Sequence, residues 1–113
     1  MTDQIDYIEF PSPDRAATSR FFSAAFGWSM TSYGPDYDGL NGAGIDGGVD
    51  QSDQRVGATM AIVRTDDLDD AEARVIAAGG TITLPQFDFP GGRRFHFREP
   101  GGNELAVWVE RAE

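Results

Sequence analysis

The second half of this chain repeats the pattern of its first half. A shift of 53 residues places Asp14 on Asp67 and Gly27 on Gly80. In both halves an extended run precedes a segment with apolar residues at three- and four-residue spacing, which is typical of a helix that buries one face. Self-similarity at a fixed period indicates a repeated structural unit. We therefore interpret the chain as an internal duplication, and this restricts it to folds built from two like modules.

Each module is predicted to begin with a strand and a helix. In the first half, residues 5–10 form the strand, Ser12 is the expected N-cap of the helix, and Gly27 ends it. In the second half, residues 59–64 form the strand and Thr65-Asp66 is the expected cap. The two modules are predicted to have the same order of elements.

Turn-forming sequences divide the rest of each module into three short strands. These turn-forming sequences are Leu40-Asn41-Gly42 in the first module, and Pro90-Gly91-Gly92 and Pro100-Gly101-Gly102-Asn103 in the second. Residues 46–57, rich in Gly, Asp, Gln and Ser, are predicted to connect the modules. The prediction is one domain over residues 1–113, with a βαβββ module at about residues 1–50 and another at about 57–113.

Composition excludes several chemistries. The chain has no cysteine and no lysine, so thiolate ligands, thiol nucleophiles and lysine Schiff bases are ruled out. A net charge of -10 argues against nucleic acid and anionic membranes as partners and favours a neutral or cationic small molecule. The N-terminus lacks a signal-peptide pattern and no apolar run could span a bilayer, so a cytoplasmic location is expected.

Local sequences resemble the vicinal oxygen chelate superfamily, which groups glyoxalases, bleomycin-resistance proteins and extradiol dioxygenases. Residues 21–28, Phe-Phe-Ser-Ala-Ala-Phe-Gly-Trp, resemble its helix end, and residues 98–105, Arg-Glu-Pro-Gly-Gly-Asn-Glu-Leu, resemble its last hairpin. Tyr7-Ile8-Glu9-Phe10-Pro11 and Thr65-Asp66-Asp67-Leu68-Asp69 are similar to its first strand and second helix cap. The resemblance implies an α+β fold, in which two tandem βαβββ modules form a curved, mostly antiparallel open sheet, or half-barrel, with helices on the convex face.

The residues that the resemblance places at metal-ligand positions are of types that do not bind a divalent ion in the usual way. Those positions fall on Tyr7, Met60 and Ala106, with the fourth near Gly47-Gly48. The single histidine, His96, cannot build a two-His-one-carboxylate iron site within one subunit. We therefore expect no metal, no cofactor and no extradiol dioxygenase activity.

Strand alternation predicts which residues face a ligand, because successive side chains point to opposite faces of a sheet. One face is apolar and is expected to pack under the helices: Ile8, Phe10, Ala61, Val63, Phe95, Phe97, Leu105, Val107 and Val109. The other face is mixed, as a binding surface should be. Its predicted ligand-binding residues are Tyr7, Glu9, Met60, Ile62, Arg94, His96, Ala106 and Trp108.

Glu9 and His96 are candidates for acid/base roles, although no residue is assigned as catalytic. Glu9 could bind a cation or an amine or act as a base, or it could be a surface or interface carboxylate paired with arginine. Arg94 and His96 could hold an oxyanion, or they could be structural.

The leading interpretation is a metal-independent small-molecule-binding protein that acts as a homodimer and sequesters a cationic antibiotic of the bleomycin type. The alternative is a glyoxalase-like lyase or isomerase that acts on a small carbonyl compound, with Glu9 and His96 as acid/base groups or atypical metal ligands. A third possibility is a structural or regulatory partner domain. Of these interpretations, we favour the binding protein over the enzyme.

Overall fold

The computed structural model describes residues 3–52 and 58–111. Their contacts group them into two compact units. Described residues between 7 and 60 form the N-terminal unit, and residues 3–6 together with 61–111 form the C-terminal unit. Both boundaries fall inside a strand, and each of these two strands is assigned below to the unit that holds most of its residues. No helix among these residues has both the length and the apolar character required to cross a bilayer.

The N-terminal unit contains one helix and a four-stranded sheet. Its strands lie in the order β2-β3-β4-β1, with β1 and β4 parallel and the other pairs antiparallel. The elements are β1 (Gln4–Pro11), α1 (Arg15–Phe26), β2 (Ser29–Ser32), β3 (Tyr37–Asn41) and β4 (Asp46–Asp50).

The C-terminal unit repeats this topology. Its strands lie in the order β5-β8-β7-β6, and the first-to-last strand pair, β5 and β8, is again parallel. The elements are β5 (Met60–Arg64), α2 (Leu68–Ala77), β6 (Thr81–Phe89), β7 (Gly92–Arg98) and β8 (Glu104–Glu110). Two tandem βαβββ modules of the α+β class are therefore confirmed.

The predicted helix caps are wrong by two residues in the first module and by one or two in the second. Asp14, not Ser12, is the N-cap of α1, because its carboxylate accepts a hydrogen bond from the Ala17 amide at 3.1 Å. Asp67, not Thr65-Asp66, plays the same role for α2. The buried Ser12 hydroxyl instead accepts from the Asp14 amide at 3.0 Å and holds the turn before the cap.

The predicted connector over residues 46–57 is also wrong in its first part. Residues 46–50 form β4, which lies between β3 and β1. Glycine is required there because a Cβ at position 47 would clash with the backbone oxygen of Ile8 on the neighbouring strand. The Gly-rich sequence of residues 46–50 therefore permits close strand packing and does not form a linker. Residues 53–57, the rest of the predicted connector, lie outside the described residues.

The helices cover the apolar sheet face that strand alternation predicted. In the C-terminal unit, Leu68 and Ala71 of α2 form a buried core with Phe95 and Val107. In the N-terminal unit, the Phe10 ring of β1 lies 5.2 Å from the Phe22 ring of α1, measured between centroids. The opposite face of each sheet therefore carries the mixed set of side chains.

Candidate functional site

The first group of candidate residues lies on the N-terminal sheet, on the face away from α1. Glu9 on β1 pairs with Gly48 on β4, and Gly48 pairs with Gly39 on β3. Directly paired residues of neighbouring strands point to the same face. Since the next residue along β1, Phe10, packs on α1, Glu9 and Tyr7 point away from the helix.

Tyr37 completes this group, although the sequence did not identify it. Its ring lies across Gly48, where a Cβ would come within 3.0 Å of three Tyr37 ring and hydroxyl atoms. The Tyr37 hydroxyl donates to a carboxylate oxygen of Glu9 at 3.1 Å, and it is hydrogen-bonded to the Tyr7 hydroxyl. The result is a chain of three side chains, Tyr7, Tyr37 and Glu9, which we call the tyrosine relay.

Burial gives the tyrosine relay its electrostatic character. Glu9 is only 3% exposed, so it does not lie on the surface of its unit. Burial raises the pKa of Tyr37 far above its ordinary value, and the charge of Glu9 raises that pKa further. Tyr37 therefore keeps its proton and remains a donor to Glu9.

The second group lies on the C-terminal sheet, on the face away from α2. His96 on β7 pairs with Ala106 on β8, and Ala106 pairs with Ile62 on β5. Arg94 pairs with Trp108 in the same register. Since the alternate residues, such as Phe95 and Val107, are in the α2 core, this face carries five of the eight predicted ligand-binding residues.

Arg94 and His96 are joined through one imidazole nitrogen. Two guanidinium nitrogens of Arg94 lie 3.0 and 2.9 Å from Nε2 of His96. Because arginine can only donate, Nε2 must accept, and the imidazole proton of the neutral ring then lies on Nδ1. The guanidinium carbon also lies 5.7 Å from the ring centre of Phe87 and 5.8 Å from that of Phe89. Arg94 is thereby held by two aromatic rings and a buried histidine.

Trp108 extends this aromatic surface. Its indole nitrogen donates to Asp6 at 2.9 Å, its ring lies 6.2 Å from that of Phe89, and the Arg64 guanidinium lies 5.3 Å from its centre. Phe89 is a contact that strand alternation did not single out. The sequence could have predicted this contact, because Phe89 lies two residues after Phe87 on β6 and both rings therefore lie on one side of the strand.

The residues that the resemblance places at metal-ligand positions do not fit a divalent ion. Tyr7 is hydrogen-bonded within the tyrosine relay, Met60 and Ala106 are buried and carry no hard ligand atom, and Gly48 lies under the Tyr37 ring. Within residues 3–52 and 58–111, no three histidine or acidic side chains are grouped so that they could hold an ion. The absence of a metal in the working protein stays a prediction.

Comparisons with known proteins agree with this architecture. Residues 7–108 match the glyoxalase-like domain family. The chain is 30% identical over 125 aligned residues to the anthracycline biosynthesis protein DnrV of Streptomyces peucetius, and the match covers 90% of this chain and 45% of DnrV. The chain thus spans less than half the length of that relative.

Solved structures show the same fold. Methylmalonyl-CoA epimerase from Mycobacterium tuberculosis superposes with a TM-score of 0.71 at 12% identity, covering 95% of this chain and 87% of the epimerase. A glyoxalase/bleomycin resistance protein/dioxygenase superfamily member from Vibrio splendidus gives 0.69 at 17% identity, covering 92% and 96%. The family match over residues 7–108, together with the duplicated module, places the chain in the vicinal oxygen chelate superfamily. Within it, the chain belongs to the family of glyoxalase-like domains.

Proposed function

We propose that this chain is a metal-independent small-molecule-binding protein of the glyoxalase/bleomycin-resistance superfamily. What supports the proposal is the chemistry of the positions where the resemblance places metal ligands: they hold Tyr7, which is hydrogen-bonded to Tyr37, a buried methionine, a buried alanine and a glycine. These side chains supply ring surface and directed hydrogen bonds, which recognise organic molecules. They supply no set of charged oxygens or imidazoles for an ion.

The ligand class we propose is an aromatic, cationic antibiotic. The tyrosine rings of the relay provide stacking surface in the N-terminal unit, and Phe87 and Phe89 beside Arg94 do so separately in the C-terminal unit. Ring faces attract cations, and the net charge of -10 favours their approach. The name of the relative DnrV refers to anthracycline biosynthesis, and this adds anthracyclines to bleomycin-type glycopeptides as ligands to test.

Metal content tests the first part of the proposal. The protein should be purified after growth with added zinc, nickel, manganese and iron, and its metal content measured by mass spectrometry. We expect far less than one ion per chain, and the same residual content in wild type and His96→Ala. Stoichiometric metal that disappears in His96→Ala would defeat the proposal.

Thermal shift with daunorubicin and bleomycin tests the second part. A ligand at a hundred times its Kd stabilises the folded state by about 2.7 kcal/mol, so specific binding gives a shift of several degrees. Glu9→Gln should reduce the shift for a cationic ligand. Asp88→Asn removes one negative charge from an exposed position, and should leave the shift unchanged. Equal reductions in both variants would indicate attraction by net charge alone.

A second candidate function is supported by the buried Glu9 carboxylate. A carboxylate held beside a phenol hydroxyl is a possible proton acceptor, so a lyase or isomerase acting on a small carbonyl compound is the alternative. The assay is exchange of α-hydrogens of small aldehydes and ketones in D2O, followed by NMR. Exchange that Glu9→Gln and His96→Ala abolish, and Asp88→Asn retains, would favour the enzyme over the binding protein.

We also propose that the chain acts in the cytoplasm as a single-domain homodimer. Phe21 and Phe26 of α1 are 61% and 59% exposed and their rings lie 6.2 Å apart, which forms an apolar patch of the kind found at interfaces. Light scattering coupled to size exclusion measures the mass of the particle. A Phe21→Ser, Phe26→Ser variant with unchanged mass would show that this patch is not the interface.

A further inference from the structure

We propose that two copies of the chain meet by pairing β2 with β2 of the second copy, antiparallel and centred on Thr31, so that their N-terminal sheets become one continuous sheet. The inference rests on the proposed homodimer and deepens it, because it names the strand through which the copies bind. It concerns a sheet edge that the candidate functional site does not use.

β2 lies at one edge of the N-terminal sheet, and half of its main-chain groups point away from the sheet. The Tyr33 amide, directly after β2, donates to the Tyr37 oxygen at 2.9 Å. Residues of an antiparallel strand bond to their neighbour alternately, so the main-chain groups of Thr31 also point to β3. Those of Met30 and Ser32 therefore point outward, and neither amide donates to any group in the described part of the chain.

β2 has none of the features that prevent a further strand from adding to an edge. Proteins protect sheet edges with charged side chains, proline and β-bulges. β2 has the sequence Ser-Met-Thr-Ser, and its register with β3 is regular. By contrast β6, an edge strand of the C-terminal sheet, contains Pro85 and has two register shifts in its pairing with β7. Of these two edges, β2 is the one suited to strand addition.

A second copy is complementary to this edge. Antiparallel pairing about a two-fold axis at Thr31 places Met30 of each copy opposite Ser32 of the other. Since the main-chain groups of both residues point outward, each such pair exchanges both of its hydrogen bonds. Thr31 then lies beside Thr31 of the second copy, and threonine pairs across strands are favourable.

The charge distribution also favours a second copy at this edge. Each copy carries a net charge of -10, so two copies repel each other over much of their surface. Residues 21–35, which include β2, contain no charged side chain and form the longest uncharged run of the chain. The copies can therefore approach here without placing like charges together.

The exposed rings of α1 belong to the same uncharged run. Phe21 and Phe26 are 61% and 59% exposed, and the Phe26 ring lies 5.1 Å from that of Trp28, the residue before β2. A two-fold axis between antiparallel strands is perpendicular to the sheet, so α1 of both copies lies on one side of the continuous sheet. The rings can then add apolar area to a short strand contact.

The test is cysteine cross-linking, because the chain has no cysteine of its own. The Cα atoms of a pair such as Thr31 and Thr31 of the second copy are about 4.5 Å apart, within the range that a disulfide spans. Thr31→Cys is treated with oxidised glutathione, which accepts the electrons that leave the thiols, and the products are separated on a non-reducing gel. The matched control is Thr83→Cys, at an exposed position of β6.

We expect Thr31→Cys to cross-link rapidly and nearly completely. At roughly ten micromolar protein, a thiol held beside its partner at a millimolar effective concentration should react about a hundredfold faster than one that meets its partner by collision. Thr83→Cys should show only the slow rate. Light scattering coupled to size exclusion should give the mass of a dimer for wild type and for both variants before oxidation.

A second variant removes a hydrogen-bond donor from the contact. The Ser32 amide points away from β3, and proline is accepted at such positions of an edge strand. Ser32→Pro should raise the Kd of the dimer about tenfold or more, since each copy loses one donor. Urea unfolding shows whether this variant is folded, and the cross-linking result does not depend on it.

Two results would overturn the inference, and they differ in what they leave standing. If wild type is a dimer but Thr31→Cys cross-links no faster than Thr83→Cys, the copies meet through another surface, and the proposed homodimer survives. If wild type is a monomer up to millimolar concentration, the homodimer and the β2 contact fail together, and the β2 edge is left for an extended segment of a different protein.

Discussion

Replacing Gly48 by alanine should destabilise the protein by about 3 kcal/mol, because the new methyl group and the Tyr37 ring cannot occupy the same space. The backbone at Gly48 is not in the left-handed region, so alanine itself is tolerated there. The ring must therefore swing out, and it breaks its hydrogen bond to the buried Glu9 carboxylate. A hydrogen bond to a charged group contributes about 1.5–3 kcal/mol, and overpacking adds roughly 1 kcal/mol or more.

Gly39 provides a matched control. It pairs directly with Gly48, and a Cβ there would lie 2.7 Å from the Tyr33 ring. Tyr33 is 68% exposed, so its ring can move into solvent at little cost. Gly39→Ala should change the free energy of unfolding by less than about 0.5 kcal/mol, since a glycine in a strand is itself slightly unfavourable.

Denaturant unfolding of both variants, followed by tryptophan fluorescence, measures the difference. We expect the cost of Gly48→Ala to disappear in a Tyr37→Ala background, with a coupling free energy of about 2–3 kcal/mol. Equal costs for the two glycine variants, or a Gly48→Ala cost that persists when Tyr37 is absent, would show that the Tyr37 ring is not the cause of the destabilisation.

Two further predictions concern charged pairs. Asp38→Ala should lower the free energy of unfolding in urea by about 2–3 kcal/mol, because the buried Asp38 accepts a hydrogen bond from Arg15 at 2.6 Å. Asp88→Ala, which breaks an exposed ion pair, should lower it by less than about 1 kcal/mol. Equal losses in the two variants would contradict this prediction. The hydrogen bond from Arg74 lowers the pKa of Asp3 below its ordinary 3.8. Asp3→Asn should therefore be less stable than wild type at neutral pH, with a deficit that shrinks as pH falls through the lowered pKa; a pH-independent difference would show that the ion pair does not contribute.

Much of the fold could be predicted because its signals are local. The alternation of side chains in a strand and the three-to-four spacing in a helix are visible in short windows, and the duplication doubled the number of windows. These signals placed Phe95 and Val107 under a helix and His96 and Ala106 on the opposite face, as observed. They failed where two local signals compete. Ser12 and Asp14 are both good N-caps, and only the backbone geometry decides between them.

The candidate site could not be predicted in full, because it depends on contacts between residues that are distant in sequence. The sequence alone was enough to predict, through its resemblance to the superfamily, that Tyr7, Met60 and Ala106 stand at the metal positions, because this prediction needs only an alignment. Only the tertiary structure showed that Gly48 belongs to a strand and that the Tyr37 ring fills the space above it. That relation depends on the register between β3, β4 and β1, and register is set when strands distant in sequence bury a common face.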